Sequence, residues 1–315
     1  MNLAATDADV LAARPPKEPV DPYRPYALVV EDERTAEGAV EPVATLFLTN
    51  RECPFRCTMC DLWRHTLDEP TPLGAIPAQI EYALQTLPPA AHIKLYNSGN
   101  FFDRQAIPCE DHAAIAELVR PFRTVIVECH PRLCGDDVLR FRDRLRPDQQ
   151  LEVAMGLETI HPRVLPLLNK RMTTDDYATA ARRLVAHGVA VRSFILLRPP
   201  TLTEAEGVEW ALRSLEFAFD AGARVAVVIP TRAGNGLLDQ WRRQGWFVEP
   251  SLASLEEVAE TAIAWGRGRV FVDLWDLPRF APCPHCRDNR RNRLELLNRE
   301  QKVAPRAACK VCENR

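Results

Sequence analysis

No stretch of this 315-residue sequence approaches the length of apolar chain that spans a bilayer, and residues 1–13 carry acidic groups but no basic apolar segment of the kind that directs export. Both absences point to a cytoplasmic protein with no membrane contact. A large excess of positive charge is also missing. Forty Lys and Arg against 43 Asp and Glu give a formal net charge of −3, which argues against nucleic-acid affinity spread over the whole chain. The charge is unevenly placed, with four basic and nine acidic residues in 1–42 and nine basic and four acidic in 283–315. Ten cysteines suit disulfides outside the cell, but seven of them fall into two ligand-like clusters, so a reducing compartment is expected. An apolar content of 46% is enough for a large core, built as one main domain with attachments.

The first cluster is Cys53-Pro54-Phe55-Arg56-Cys57-Thr58-Met59-Cys60, which directly follows the strand-like run 43–49. Four-iron clusters are held by cysteine thiolates, usually four. Three closely spaced thiolates with no nearby fourth leave one iron free to bind something other than protein. The competing assignment is a zinc site completed by His65, since zinc accepts four nitrogen or sulfur ligands at short spacings.

Residues 1–42 are rich in proline and charge and are expected to form an extended lead-in. From residue 43, apolar runs at 92–97, 124–129, 151–156, 189–196 and 224–229 follow the first strand, with a weaker one at 270–273. Amphipathic stretches lie between them. The clearest predicted helix covers 204–221, where Thr203 and Glu206 form a capping box and Gly222 supplies the stop; Ser254 with Glu257 signals the start of another. Alternating strand and helix imply a parallel α/β sheet with right-handed crossovers over 43–273, followed by an extension at 274–315. Periodicity alone does not separate a curved barrel from an open doubly wound sheet. In either case chemistry belongs at the C-terminal ends of the strands, where the three-cysteine loop sits.

Other strand ends carry polar groups. Tyr96-Asn97-Ser98-Gly99-Asn100 follows the second strand, Glu128-Cys129-His130-Pro131 the third, Gly156-Leu157-Glu158-Thr159 the fourth and Leu197-Arg198-Pro199-Pro200 the fifth. Carboxylates in a barrel mouth are costly to desolvate without partners, so Glu128 and Glu158 suit ligand hydroxyls or amines, or else internal salt bridges. Arg198 offers a planar fork of donors to an anion, with a surface ion pair as the alternative.

The cysteine spacing resembles the signature of the radical S-adenosylmethionine (radical SAM) superfamily. Together with these strand-end segments and Leu168-Asn169-Lys170, it looks like the Elongator-type core and is especially similar to archaeosine-forming, tRNA-modifying members, over about residues 43–250. The resemblance implies a partial (β/α)6 barrel and a [4Fe–4S] cluster on Cys53, Cys57 and Cys60 whose open iron chelates the methionine end of SAM. It also implies reductive cleavage of SAM to a 5′-deoxyadenosyl radical. Ser98, Gly99 and Asn100 would then bind the methionine amino group, with Glu128, Glu158 and Arg198 as further SAM contacts. An electron donor such as a flavodoxin or ferredoxin is implied, and a tRNA nucleoside is the expected substrate; a small metabolite or a peptide is the alternative. A non-enzymatic zinc-binding adaptor is the remaining rival.

The second cluster is Cys283-Pro284-His285-Cys286 with Cys309-Lys310-Val311-Cys312. Four thiolates saturate a tetrahedral ion, so zinc is the first assignment for Cys283, Cys286, Cys309 and Cys312, and a second iron–sulfur cluster is the other. The arginine-rich run between the pairs suits either RNA phosphates or a solvated face. No aromatic stacking pattern accompanies it.

Overall fold

The computed structural model describes residues 4–281, 283–306 and 308–313. One sheet contains β1 (Ala27–Arg34), β2 (Val40–Phe47), β3 (His92–Tyr96), β4 (Thr124–Glu128), β5 (Gln150–Glu158), β6 (Ala190–Leu197), β7 (Val225–Pro230) and β8 (Arg269–Val272). β1 and β2 pair antiparallel, whereas β2 through β8 are parallel and follow chain order with no reversal. A doubly wound sheet reverses at a switch point; this order is singly wound, as in a barrel.

The helices are α1 (Asp7–Ala13), α2 (Ala75–Thr86), α3 (His112–Leu118), α4 (Asp136–Arg142), α5 (Val164–Leu167) and α6 (Thr174–Ala186). They continue with α7 (Glu204–Asp220), α8 (Leu237–Arg243), α9 (Leu252–Ala264), α10 (Leu277–Phe280), α11 (Arg287–Glu300) and α12 (Lys310–Glu313). No helix among the described residues is long and apolar enough to cross a membrane.

Local sequence explains most of these elements. At the start of α7 the Thr203 hydroxyl accepts the Glu206 N–H while the Glu206 carboxylate accepts the Thr203 N–H. Its stripe of Val208, Ala211, Leu215 and Phe219 is buried, and Gly222 leaves the helix at φ +108°. α9 begins one turn earlier than the Ser254 signal suggests. Ser251 caps it by accepting the Ser254 N–H, which leaves both Leu252 and Leu255 buried.

The stretch expected to be extended holds two elements. α1 opens on a Thr6–Asp9 capping box and buries Val10 against Leu237, Leu238 and Trp241. β1 pairs with β2 along its full length and turns Leu28 and Val30 toward the core.

Charged side chains from five strands meet inside the sheet. Arg192 of β6 pairs with Glu33 of β1 and, at 2.5 Å, with Glu152 of β5; Glu33 also receives Lys94 of β3. From β8, Arg269 approaches Glu152 at 3.8 Å and donates to the Arg34 carbonyl of β1 at 2.7 Å. Strands one, three, five, six and eight share these contacts only if the sheet curls, so the charges form the floor of a partial barrel. Above that floor, Tyr96 and Phe194 meet edge to face at 6.1 Å across the interior, and Phe47 bridges Tyr96 to Trp275.

Burial works to raise the Glu33 pKa, but the neighbouring Arg192 and Lys94 charges outweigh it and hold the carboxyl far below its ordinary value. Removing one partner from such a pair strands the other charge. Arg192→Met is therefore expected to cost about 3–5 kcal/mol in urea unfolding at neutral pH. A carboxylate with a depressed folded pKa contributes stability above its unfolded value of about 4.3 and loses it as pH falls, so the gap between the variant and the parent should narrow below about pH 4.

Candidate functional site

The three-cysteine loop leaves β2 with little regular structure, and its backbone groups are met by side chains and carbonyls from several strand ends. Thr58 N–H donates to the Leu168 carbonyl at 3.0 Å, and Asn169 Nδ2 donates to the Arg56 carbonyl at 2.8 Å. Asn235 Nδ2 donates to the Thr58 carbonyl at 2.7 Å, and Trp63 Nε1 to the Cys60 carbonyl at 3.1 Å. Cys53, Cys57 and Cys60 are free and half-buried. Desolvation pushes each thiol up to about 12. Sulfur so placed is inert as an exposed nucleophile and suits a metal cation, which deprotonates a coordinating thiol.

The segment after β3 lies against Cys53. Asn100 Nδ2 donates to Cys53 Sγ at 3.1 Å, and its Oδ1 accepts the His130 N–H. A Cβ on Gly99 would lie 2.8 Å from Cys53 Cβ and 3.2 Å from its Sγ, so only glycine permits this approach. Ser98 is left-handed at φ +56°, and its hydroxyl lies 3.1 Å from that of Tyr26. Glu128 Oε2 accepts the Asn97 N–H at 2.8 Å, and the Ser98 and Gly99 N–H groups also donate to this carboxylate. Burial nevertheless pushes Glu128 up to about 7, against the pull of those donors. The loop is thus held in place by Glu128 from below and by Asn100 against the cysteine. These residues fit a cluster carried on three thiols with an adjoining polar ligand.

Glu158 sits beyond a bulge in β5, at φ +65°, and pairs with Lys170 Nζ at 2.6 Å. Both are buried, and the pair passes over Gly156, where a Cβ would lie 2.0 Å from Glu158 Oε1 and 2.3 Å from Lys170 Nζ. Burial opposes the Lys170 charge, yet Glu158 and then Cys57 outweigh it and raise its pKa. Lys170 consequently brings a fixed cation beside the thiols. Its role was not apparent from sequence, although Leu168-Asn169-Lys170 was conspicuous there; its position opposite Glu158 is set by the 167–171 loop. His130 also belongs to the site. Its ring stacks on Phe55 of the cysteine loop at 3.8 Å, and its Nε2 donates to the Lys170 carbonyl at 2.9 Å. Burial lowers its pKa to about 3, so it stays neutral.

Arg198 is engaged elsewhere. It pairs with Glu204 at the start of α7 and donates to the carbonyls of Glu249 at 3.0 Å and Leu202 at 3.3 Å.

The C-terminal cysteines converge. Cys283 and Cys309 Sγ lie 4.0 Å apart, Cys286 and Cys312 Sγ 3.7 Å, and all four sulfurs fall within 4.8 Å of one another. The arginines between them are largely spent on internal ion pairs. Arg290 meets Glu256 at 2.7 Å, Arg293 meets Glu260 at 2.6 Å, and Arg306 joins Glu260 at 2.9 Å. A basic face for RNA phosphates on α11 is reduced accordingly.

The fold is the partial barrel of radical SAM enzymes. The chain superposes on SuiB of Streptococcus suis bound to its precursor peptide with a TM-score of 0.52 at 12% identity, over 74% of this chain and 49% of that one. In sequence it is similar to archaeosine synthase subunit beta of Methanosarcina acetivorans, 27% identical over 214 residues, which are 66% of this chain and 62% of that protein. The same-named protein of Thermococcus kodakarensis is 30% identical over 127 residues, 39% of each chain. The matched segment spans less than two thirds of either relative. No protein-family model matches the chain.

Gly99→Ala is expected to cost about 1–3 kcal/mol, as overpacking usually does, and to lower the iron taken up on anaerobic reconstitution while circular dichroism stays that of the parent. Gly135→Ala is the control: its methyl meets nothing within 4 Å and should leave iron uptake unchanged.

Proposed function

We propose that the chain is a cytoplasmic radical SAM enzyme that modifies a nucleoside in tRNA. The observation that carries the first part is the three-thiol loop itself, at a strand end of a singly wound barrel, with Gly99 pressed against Cys53 and no fourth cysteine within the loop. Cys53, Cys57 and Cys60 would hold a [4Fe–4S] cluster with one iron left for SAM. When bound, that cluster supplies the electron that splits SAM into methionine and a 5′-deoxyadenosyl radical.

The chain's own residues then have distinct tasks. Ser98, Gly99 and Asn100 form the rim that would receive the methionine amino group, while Glu128 keeps that rim in shape through its N–H acceptors. The buried Glu158–Lys170 pair sets the electrostatics beside the thiols, and either member is within the strand-end region where SAM would lie. Arg198 would serve SAM or substrate only by leaving Glu204. The aromatic layer of Phe47, Tyr96 and Phe194 below excludes water from a reactive intermediate, and Trp275, half-exposed at the mouth, is available to stack on a base.

The tRNA substrate is supported by the similarity to archaeosine synthase subunit beta, whose name also supports a partner subunit. A flavodoxin or ferredoxin would deliver the electron. The peptide alternative has its own support, since the SuiB structure that shares the fold carries a precursor peptide.

Modified nucleosides from tRNA of cells with and without the protein separate these readings. Loss of one modified nucleoside, restored by the parent chain, is expected. An unchanged profile, together with SAM cleavage that tRNA does not stimulate, would count against tRNA and for a metabolite or peptide.

A further inference from the structure

We propose that Cys283, Cys286, Cys309 and Cys312 hold a single zinc ion that clamps α11 over the open seam of the barrel, between β8 and β1. The inference is independent of the radical SAM reading, because it concerns a different set of cysteines and a different part of the sheet.

The seam follows from the topology. β1 and β8 are the two edges of the sheet and do not pair as strands; the Arg269 side chain on the Arg34 carbonyl joins them without forming a ladder. An uncovered edge strand exposes a row of unpaired N–H and C=O groups. Here α11 and its first following residue supply the missing partners. Asn298 Oδ1 accepts the Val272 N–H at 2.8 Å, and its Nδ2 donates to the Val272 carbonyl at 2.9 Å. Gln301 does the same for Val270, accepting at 2.6 Å and donating at 2.8 Å. Two side-chain amides three residues apart, one in the last turn of α11 and one just beyond it, thus reproduce the ladder that a neighbouring strand would offer to alternate residues. Leu294 and Leu297 on the same helix are fully buried in the main core.

Beyond these contacts α11 is tied to α9 by the Arg290–Glu256 and Arg293–Glu260 ion pairs. It carries five arginines and only three leucines, and a helix of 14 residues with so few apolar contacts is marginal by itself. The cysteines flank it on both sides. Cys283 and Cys286 end where α11 begins, Cys286 being its N-cap residue, while Cys309 and Cys312 follow it. One ion bound to all four ties the two ends of this segment together and removes the entropy of the open loop.

The sulfur spacing selects the kind of metal centre. Zinc–sulfur bonds of about 2.3 Å in a tetrahedron place the sulfurs about 3.8 Å apart. The Cys283–Cys309 and Cys286–Cys312 pairs, at 4.0 and 3.7 Å, match that edge. In a four-iron cluster each thiolate binds a different iron, so the sulfurs surround a whole cube and stand farther apart.

Metal analysis of the full chain, before and after anaerobic iron reconstitution, tests the assignment, and hydrogen–deuterium exchange tests the clamp. The parent should hold one zinc per chain in both states. Cys309→Ser with Cys312→Ser should lose the zinc, keep the iron taken up by the first cluster, and exchange roughly tenfold faster over 269–272 and 287–300. Asn298→Ala with Gln301→Ala leaves every cysteine in place, so it should retain zinc while exchange at Val270 and Val272 rises; it carries the test of the clamp should the cysteine variant fail to fold. Iron at these four cysteines, whether one atom or a cluster, overturns the zinc assignment. Unchanged exchange at Val270 and Val272 in the zinc-free or the amide variant overturns the clamp.

Discussion

Arg192 is held between Glu33 and Glu152, and that buried contact joins strands that are far apart in the sheet. Five strands send charged groups to this point, and each would be costly to bury alone. Their mutual satisfaction defines how far the sheet must curl, and the curl brings the ends of β2, β3, β4 and β5 close enough for one loop of cysteines to touch all of them. The site depends on this geometry more than on any single ligand. Asn100 reaches Cys53, His130 stacks on Phe55, and Asn169 and Asn235 hold the Arg56 and Thr58 carbonyls only because their strands converge.

Within the site, two kinds of carboxylate are distinguishable. Glu128 is spent on backbone N–H groups and is pushed up toward neutrality by burial; Glu158 is spent on a lysine. Each organises a part of the rim, and neither is a free acid waiting for a ligand. The barrel mouth therefore owes its polarity to groups that are already paired, a preorganised arrangement in which a bound cofactor meets fixed dipoles in place of mobile water.

The cysteine loop and the strand ends around it were legible in the sequence because their signals are local. Spacing within eight residues marks the candidate metal site, and apolar runs of five or six mark strands. The start of α7 was equally clear, since Thr203 and Glu206 lie three apart. What escaped was non-local. Glu33 and Arg192 are 159 residues apart, so the curl of the sheet left no trace in any window, and the acidic half of β1 hid its apolar Leu28 and Val30. Lys170 became meaningful only once the 167–171 loop placed it against Glu158. The arginines of α11 resembled a nucleic-acid face because their acidic partners, Glu256 and Glu260, lie on α9, more than thirty residues upstream.

The central claim is that the first three cysteines hold an open cluster that acts on SAM. Its most direct test is the release of 5′-deoxyadenosine and methionine from SAM by the reduced, anaerobically reconstituted chain, compared with the variant carrying Cys53→Ala, Cys57→Ala and Cys60→Ala. The parent should release both products, and the variant should release neither while binding about four fewer irons per chain. Equal iron content and equal cleavage in the two proteins would contradict the account.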